Sequence, residues 1–276
     1  MERQQIEVRA EQRSEGLVAT VVIDNPARLN SMNSPLMAQF VAAMSSLAQD
    51  ERLRVVVITG AGDKAFIGGA DIKEMAALRG PQAARDFISR VHACCHAVRA
   101  IPVPTIARIN GFTFGAGLEL AAACDMRVGS EQAVFGMPEV KLGIPSVVEA
   151  ALLPMLVGWG RTRQMLLLGE NFSAQTAEDW GLLDRLVAHD QLDDAVAEWV
   201  AQVLTGAPRA VRLQKQLIRS WEDLPLRAAV AAGIDSFAAA FETPEPEQAF
   251  AHFLAEQTRR KAARYPEDSP DGATAL

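Results

Sequence analysis

Apolar residues follow two different rhythms along this chain. Over the first half, short runs of Val, Ile and Leu alternate with segments whose apolar positions recur every three or four residues. Residues 17–24 and 54–59 have strand length. The second of these, Arg54-Val55-Val56-Val57-Ile58-Thr59, is almost unbroken in its apolar character, the pattern of a strand buried on both faces. Between them Ser34-Pro35 marks a helix start with proline in the first turn, and Leu36, Phe40, Met44 and Leu47 follow at helical spacing. The alternation then repeats. Residues 81–100 predict a helix, 104–110 a strand, 111–117 a glycine-rich turn, 118–123 a helix, and 126–128 and 133–135 short strands. Strands alternating with helices predict parallel crossovers and an α/β core.

From residue 147 onward the strand signal fades, with one short exception at 183–188. Helical periodicity with polar faces covers 191–204, 208–221, 224–241 and 244–264, which predicts a helical C-terminal region packed on the core or on a neighbouring subunit. Beyond Pro266 the chain has almost nothing to bury and is expected to be disordered. With 276 residues, 49% of them hydrophobic, the chain can bury one sizeable core, or a core plus a small lobe.

Charge and cysteine usage narrow the function classes. A formal net charge of −7 argues against a nucleic-acid surface, which needs a basic face. No run of 18 apolar residues occurs, so no membrane span is expected. The first residues, Met1 to Glu7, contain no apolar stretch of signal-peptide type. Three cysteines, Cys94 and Cys95 adjacent, do not make a disulfide framework, and a cytoplasmic setting is expected.

Several glycine turns are candidates for chemistry. Gly60-Ala61-Gly62-Asp63-Lys64-Ala65 follows a strand and fits a dinucleotide fingerprint, but no helix opens there and no acidic residue follows a second strand at the needed distance, so it reads as a plain turn. In Ile67-Gly68-Gly69-Ala70-Asp71-Ile72-Lys73-Glu74-Met75 a glycine pair precedes a short helix, whose first N–H groups lack internal partners. Asn110-Gly111-Phe112-Thr113-Phe114-Gly115-Ala116-Gly117 likewise leads from a strand into a helix, placing the Ala116 N–H where the helix dipole favours negative charge. Two such turns build a two-point oxyanion hole, each donor lowering a barrier by roughly 3 kcal/mol.

Glu119 follows one helical turn later among Leu118, Leu120, Ala121, Ala122 and Ala123, and a glutamate in so apolar a helix needs a reason. Glu139, in Phe135-Gly136-Met137-Pro138-Glu139, fits either a functional carboxylate or an acidic first-turn residue. If both point at one spot, one carboxyl can hold a proton while the other stays ionised. His92-Ala93-Cys94-Cys95-His96 has ligand-like i,i+4 spacing but no second ligand cluster, so no metal is expected there. Neither a G-x-S-x-G elbow nor a Walker A motif occurs.

Together, residues 67–75, 110–121 with Cys124-Asp125, and 135–139 resemble the enoyl-CoA hydratase/isomerase, or crotonase, family. Asn25-Pro26, Leu29-Asn30 and the stretch 157–182 add to the likeness, which spans residues 15–265. The resemblance implies a core of repeated ββα units over residues 1–195, a helical trimerisation region over 196–264, the tail at 265–276, and assembly as a homotrimer or homohexamer. It implies a coenzyme A thioester substrate and no separate cofactor. The thioester oxygen lies between the N–H groups of Ala70 and Ala116. Arg28, Ala70, Asp71, Ile72, Lys73 and Lys261 fall where the family holds the coenzyme. Glu119 is implied as base on a water and Glu139 as the proton donor to the α-carbon of a 2-trans-enoyl thioester. A double-bond isomerase or a specialised acyl-CoA dehydratase is the alternative. One departure stands out: where many hydratases carry Pro-Gly-Ala-Gly-Gly-Thr-Gln, this chain has Gly143-Ile144-Pro145-Ser146-Val147-Val148-Glu149-Ala150-Ala151. Glu149 is read there as a helix-surface charge, on the rule that charges stay solvated.

Overall fold

The computed structural model describes residues 4–264, so the tail expected to be disordered lies outside the described residues. The chain opens with a hairpin of β1 (Gln5–Arg13) and β2 (Gly16–Asp24), paired antiparallel. Then come α1 (Ser34–Ala48), β3 (Leu53–Gly60), β4 (Ala65–Ile67), α2 (Ile72–Ala77) and α3 (Gly80–Ala100). The next unit is β5 (Thr105–Ile109), β6 (Phe112–Phe114) and α4 (Ala116–Ala123). It is followed by β7 (Met126–Ser130), β8 (Val134–Gly136), a 3-10 turn Pro138–Leu142, a second one Val148–Leu152, and α5 (Leu153–Leu168). Finally β9 (Asn171–Ser173), α6 (Ala174–Asp179), β10 (Arg185–Val187) and α7 (Leu192–Thr205) close the first unit.

Each repeat sends its first strand to one sheet and its second to another. The larger sheet has the order β1-β2-β3-β5-β7-β10, parallel from β2 onward, and the smaller has β4-β6-β8-β9. β4, β6 and β8 run parallel, with β9 antiparallel at the edge. This is the strand–strand–helix architecture expected from the sequence.

β3 is buried along its whole length because both faces are covered. Val56 and Ile58 join the main core with Phe40, Phe66 and Phe135, while Val55 and Val57 face a second cluster made with Leu192, Val196, Val200 and Leu204 of α7. Each such side chain contributes about 1.5–3 kcal/mol on burial. That packing places α7 in the first unit, so the contact boundary falls at Thr205/Gly206 and past the expected 195/196.

Four strands escaped the periodicity reading, β1, β4, β6 and β9. β1 alternates Ile6, Val8 and Ala10 with Glu7, Arg9 and Glu11, but it exposes Arg9 and Glu11 and buries no side chain fully. β6 hides in what reads as a glycine turn, and β9 has three residues only. The second unit, from Gly206, consists of α8 (Pro208–Asp223), α9 (Leu226–Ala240) and α10 (Glu245–Arg264). Within it the Glu245 carboxylate accepts from Arg209 N and Ala210 N at 3.1 Å each, capping the start of α8. Leu226, Val230, Ile234 and Phe237 of α9 and Phe250, Phe253 and Leu254 of α10 are exposed in the single chain.

Candidate active site

Two buried asparagines position the first donor turn. Asn30, left-handed at φ 56°, donates through Nδ2 to Ala61 O at 3.0 Å and Ala65 O at 2.8 Å. Asn110 donates to Gly62 O at 2.6 Å and to Ala65 O at 3.0 Å. They satisfy the carbonyls of the loop between β3 and β4, which would otherwise be costly to bury. Beyond β4, Gly68 N donates to Leu29 O at 2.7 Å, Met32 N to Gly69 O at 2.9 Å and Asp71 N to Met32 O at 3.0 Å. This single parallel bridge uses the groups on either side of Ala70 and turns the Ala70 N–H the opposite way. No acceptor for it stands among the described residues.

The second donor turn is built on two glycines. Gly115 has φ +50°, and its N–H donates to Gly136 O at 3.0 Å. Ala116 is the first residue of α4, so its N–H has no helical acceptor. A Cβ on Gly117 would stand 2.1 Å from Ile67 O, so α4 rests directly on the backbone of β4. Both free N–H groups line one cleft.

The two carboxylates of the same cleft sit in unequal surroundings. Glu119 is 3% exposed, in a helix otherwise made of small apolar residues. Burial pushes its carboxyl up to about 8, helped by the charges of Glu139 and Glu149 and opposed by N–H groups of Ala150 and Val147. Glu139 is half-buried on the 3-10 turn after β8 and accepts from the Ser146 hydroxyl at 2.8 Å. Its Oε1 lies over Gly115, where an added Cβ would meet it at 2.3 Å. Phe87, Val91, Leu142, Ile144 and Val147 form the apolar wall of this cleft, whose volume is about 90 Å³.

The arrangement suits enolate chemistry: two N–H donors for a developing oxyanion beside two carboxylates in unequal surroundings. The sequence model of the enoyl-CoA hydratase/isomerase family matches residues 13–261. The chain belongs to that family. It is 33% identical over 241 residues to a short-chain-enoyl-CoA hydratase of Clostridium acetobutylicum, covering 87% of this chain and 92% of that one. It is 34% identical over 212 residues to a carnitinyl-CoA dehydratase of Salmonella enteritidis, covering 76% and 80%. The crystal structure of an enoyl-CoA hydratase from Bacillus anthracis superposes with a TM-score of 0.86 at 29% identity, covering 92% of this chain and 97% of that one.

In this crotonase-family chain the remaining anticipated site residues occupy varied settings. Arg28 Nη1 pairs with Asp71 Oδ2 at 2.9 Å. Asp71 also accepts from Glu74 N at 2.9 Å, capping α2. Its burial works against ionisation, yet the Glu74 N–H and the Arg28 guanidinium hold it below the usual carboxylate range. Asp71 is thereby engaged in fixing the turn that carries Ala70. Ile72 is 62% exposed at the rim of the cleft and Lys73 is exposed. Lys261 is exposed on α10 of the second unit.

Glu149 departs from the sequence reading. It is 7% exposed, not a surface charge, because the 3-10 turn Val148–Leu152 folds it inward. Its Oε1 is 2.8 Å from His92 Nδ1. Cys94 and Cys95 are buried in the core and His92 is exposed, so the thiols and the ring point to different environments. Among the described residues no group of three or more His, Cys, Asp or Glu is placed to hold a metal ion. Ser146, Asn30 and Asn110 were also missed as working parts. Only Asn30 had a signal, since asparagine tolerates the left-handed region.

Proposed function

We propose that the protein is an enoyl-CoA hydratase, adding water reversibly across the double bond of a 2-trans-enoyl-CoA to give a 3-hydroxyacyl-CoA. The observation that carries this reading is the convergence of Glu119 and Glu139 on a cleft that also presents the Ala70 and Ala116 N–H groups. The thioester oxygen accepts from those two N–H groups. In the hydration direction Glu119 takes a proton from a water held between the carboxylates as its oxygen bonds to C3. Negative charge passes to the thioester oxygen as an enolate, and Glu139 then gives its proton to C2. The pair ends with the proton on Glu119, and its return to Glu139 resets the site.

The relatives named as hydratase and dehydratase support this chemistry. A cleft of about 90 Å³ holds roughly three waters at about 30 Å³ each, which supports a short acyl chain. Ile72 at the rim, with the basic side chains of Arg28 and Lys73 on the same unit, supplies apolar and basic contacts for the coenzyme, Asp71 fixes the turn, and no separate cofactor enters. The exposed apolar side chains of α9 and α10 support a homotrimer or homohexamer. Among the described residues no helix is long and apolar enough to cross a membrane. Three buried cysteines outside any disulfide support a cytoplasmic setting.

Loss of crotonyl-CoA absorbance tests the reading. Wild type consumes the substrate, whereas Glu119→Gln and Glu139→Gln do so at least about 100-fold more slowly. Full activity in either variant overturns the mechanism. One observation favours a second assignment: burial leaves the resting proton on Glu119, which fits Glu119 as acid and Glu139 as base. A base role makes kcat/KM rise as pH climbs through about 8, and an acid role makes it fall. Products from 3-enoyl and branched 2-enoyl thioesters separate hydratase from isomerase and from a specialised dehydratase.

A further inference from the structure

The segment that replaces the glycine-rich stretch carries a feature the mechanism above does not use. Val148 has φ 42°, a left-handed conformation rare for a β-branched residue. Such a conformation is strained and persists only where its surroundings over-determine it. Here the turn sends Glu149 into the interior, while the N–H groups of Val147 and Ala150, on either side, reach Glu119. Glu149 Oε1 is held by His92 Nδ1 at 2.8 Å, and its Oε2 is buried with no hydrogen-bond partner among the described residues. The His92 side chain is 54% exposed and reaches from α3, so the pair runs from solvent into the interior. An orphaned buried carboxylate oxygen calls for an explanation.

We propose that Glu149, anchored by His92, is a positioning residue for the hydration reaction that acts through Glu119, the carboxylate of the helix against which its turn packs. This rests on the hydratase reading above. A second negative charge disfavours ionisation of the first, and the low-dielectric interior strengthens that effect. The titratable groups facing Glu149 are Glu119 on α4 and His92, Cys94 and Cys95 on α3, with the His96 ring tilted against His92 at 5.9 Å. Burial and the Glu149 charge push the Cys94 thiol up to about 12 and Cys95 well above its ordinary value, so both thiols stay protonated.

The test is the pH profile of kcat/KM for crotonyl-CoA hydration in wild type, Glu149→Gln and His92→Gln. Removing the Glu149 charge moves the limb set by Glu119 to lower pH by on the order of one unit. His92→Gln, a change at an exposed side chain that decides the matter if Glu149→Gln does not fold, moves the limb the same way by less, because an unsupported buried carboxylate neutralises. Profiles that superimpose on wild type overturn the proposal. So does a uniform fall in rate at every pH with the limb in place, which is what lost packing alone produces. Titrating the Glu119 carboxyl by carbon-13 NMR in wild type and Glu149→Gln reads the same shift without turnover. A wild type that does not hydrate crotonyl-CoA refutes the hydratase reading. An unmoved NMR titration refutes only the role of Glu149.

Discussion

α4 with its glycine turn and the stretch from Pro138 to Leu152 supply the two cleft carboxylates, Glu119 and Glu139, and they are built in opposite ways. α4 is buried from Gly117 to Ala123 and rests backbone to backbone on β4. The other stretch is two 3-10 turns, with Leu142, Ile144 and Val147 exposed and a left-handed Val148 opening the second. The difference teaches where each task is placed. Groups that must not move belong to the core, and groups that meet a variable acyl chain belong to a segment the core constrains weakly.

The largest effect is expected on the buried side. Glu119→Gln lowers kcat for crotonyl-CoA hydration by about 1000-fold with the fold intact by circular dichroism, since general acid–base groups contribute up to about 10⁴-fold. A loss below tenfold would place the base elsewhere. Gly115→Ala probes the seam between the regions. The new Cβ meets both a positive φ and Glu139 Oε1, so kcat/KM falls by about 100-fold, as for a catalytic group displaced by about 1 Å. Wild-type rates there would show that Glu139 is freely mobile.

The raised value of Glu119 gives the next test. With Glu119 acting as base, its raised value means the ionised form is scarce at neutral pH, and kcat/KM at pH 9 is about tenfold that at pH 7. Ser146→Ala removes the hydroxyl donor to Glu139 and is expected to lower kcat/KM by roughly fivefold while the melting temperature holds. Smallest of all, Ile144→Ala and Val147→Ala widen the acyl wall and raise the ratio of hexenoyl- to crotonyl-CoA turnover about threefold, given about 0.8 kcal/mol per buried CH₂. An unchanged ratio would assign chain-length choice to Phe87 and Val91.

Legibility in the sequence followed the same divide. β3, α3 and α4 were readable because burial imposes a period, and both donor turns were readable because only glycine fits them. Glu149 was not, because a charge next to two valines obeys the solvation rule until a left-handed Val148 breaks it. β1 is the complementary case. Ile6, Val8 and Ala10 alternate there with charged residues paired as Glu7–Arg9 and Glu11–Arg13, but no side chain of the strand is fully buried. Asn30 and Asn110 earn their place through carbonyls thirty or more positions away, which no local window can show.

The contact between Gly117 and Ile67 bears on how this site can diversify. Ala70 lies three positions past Ile67 and Ala116 one before Gly117, so the gap between the two donors is gauged by main chain against main chain. No rotamer intervenes, and drift in surrounding side chains leaves that gauge unchanged. New acyl specificities can therefore be tried at the exposed wall while the span offered to the thioester oxygen stays constant.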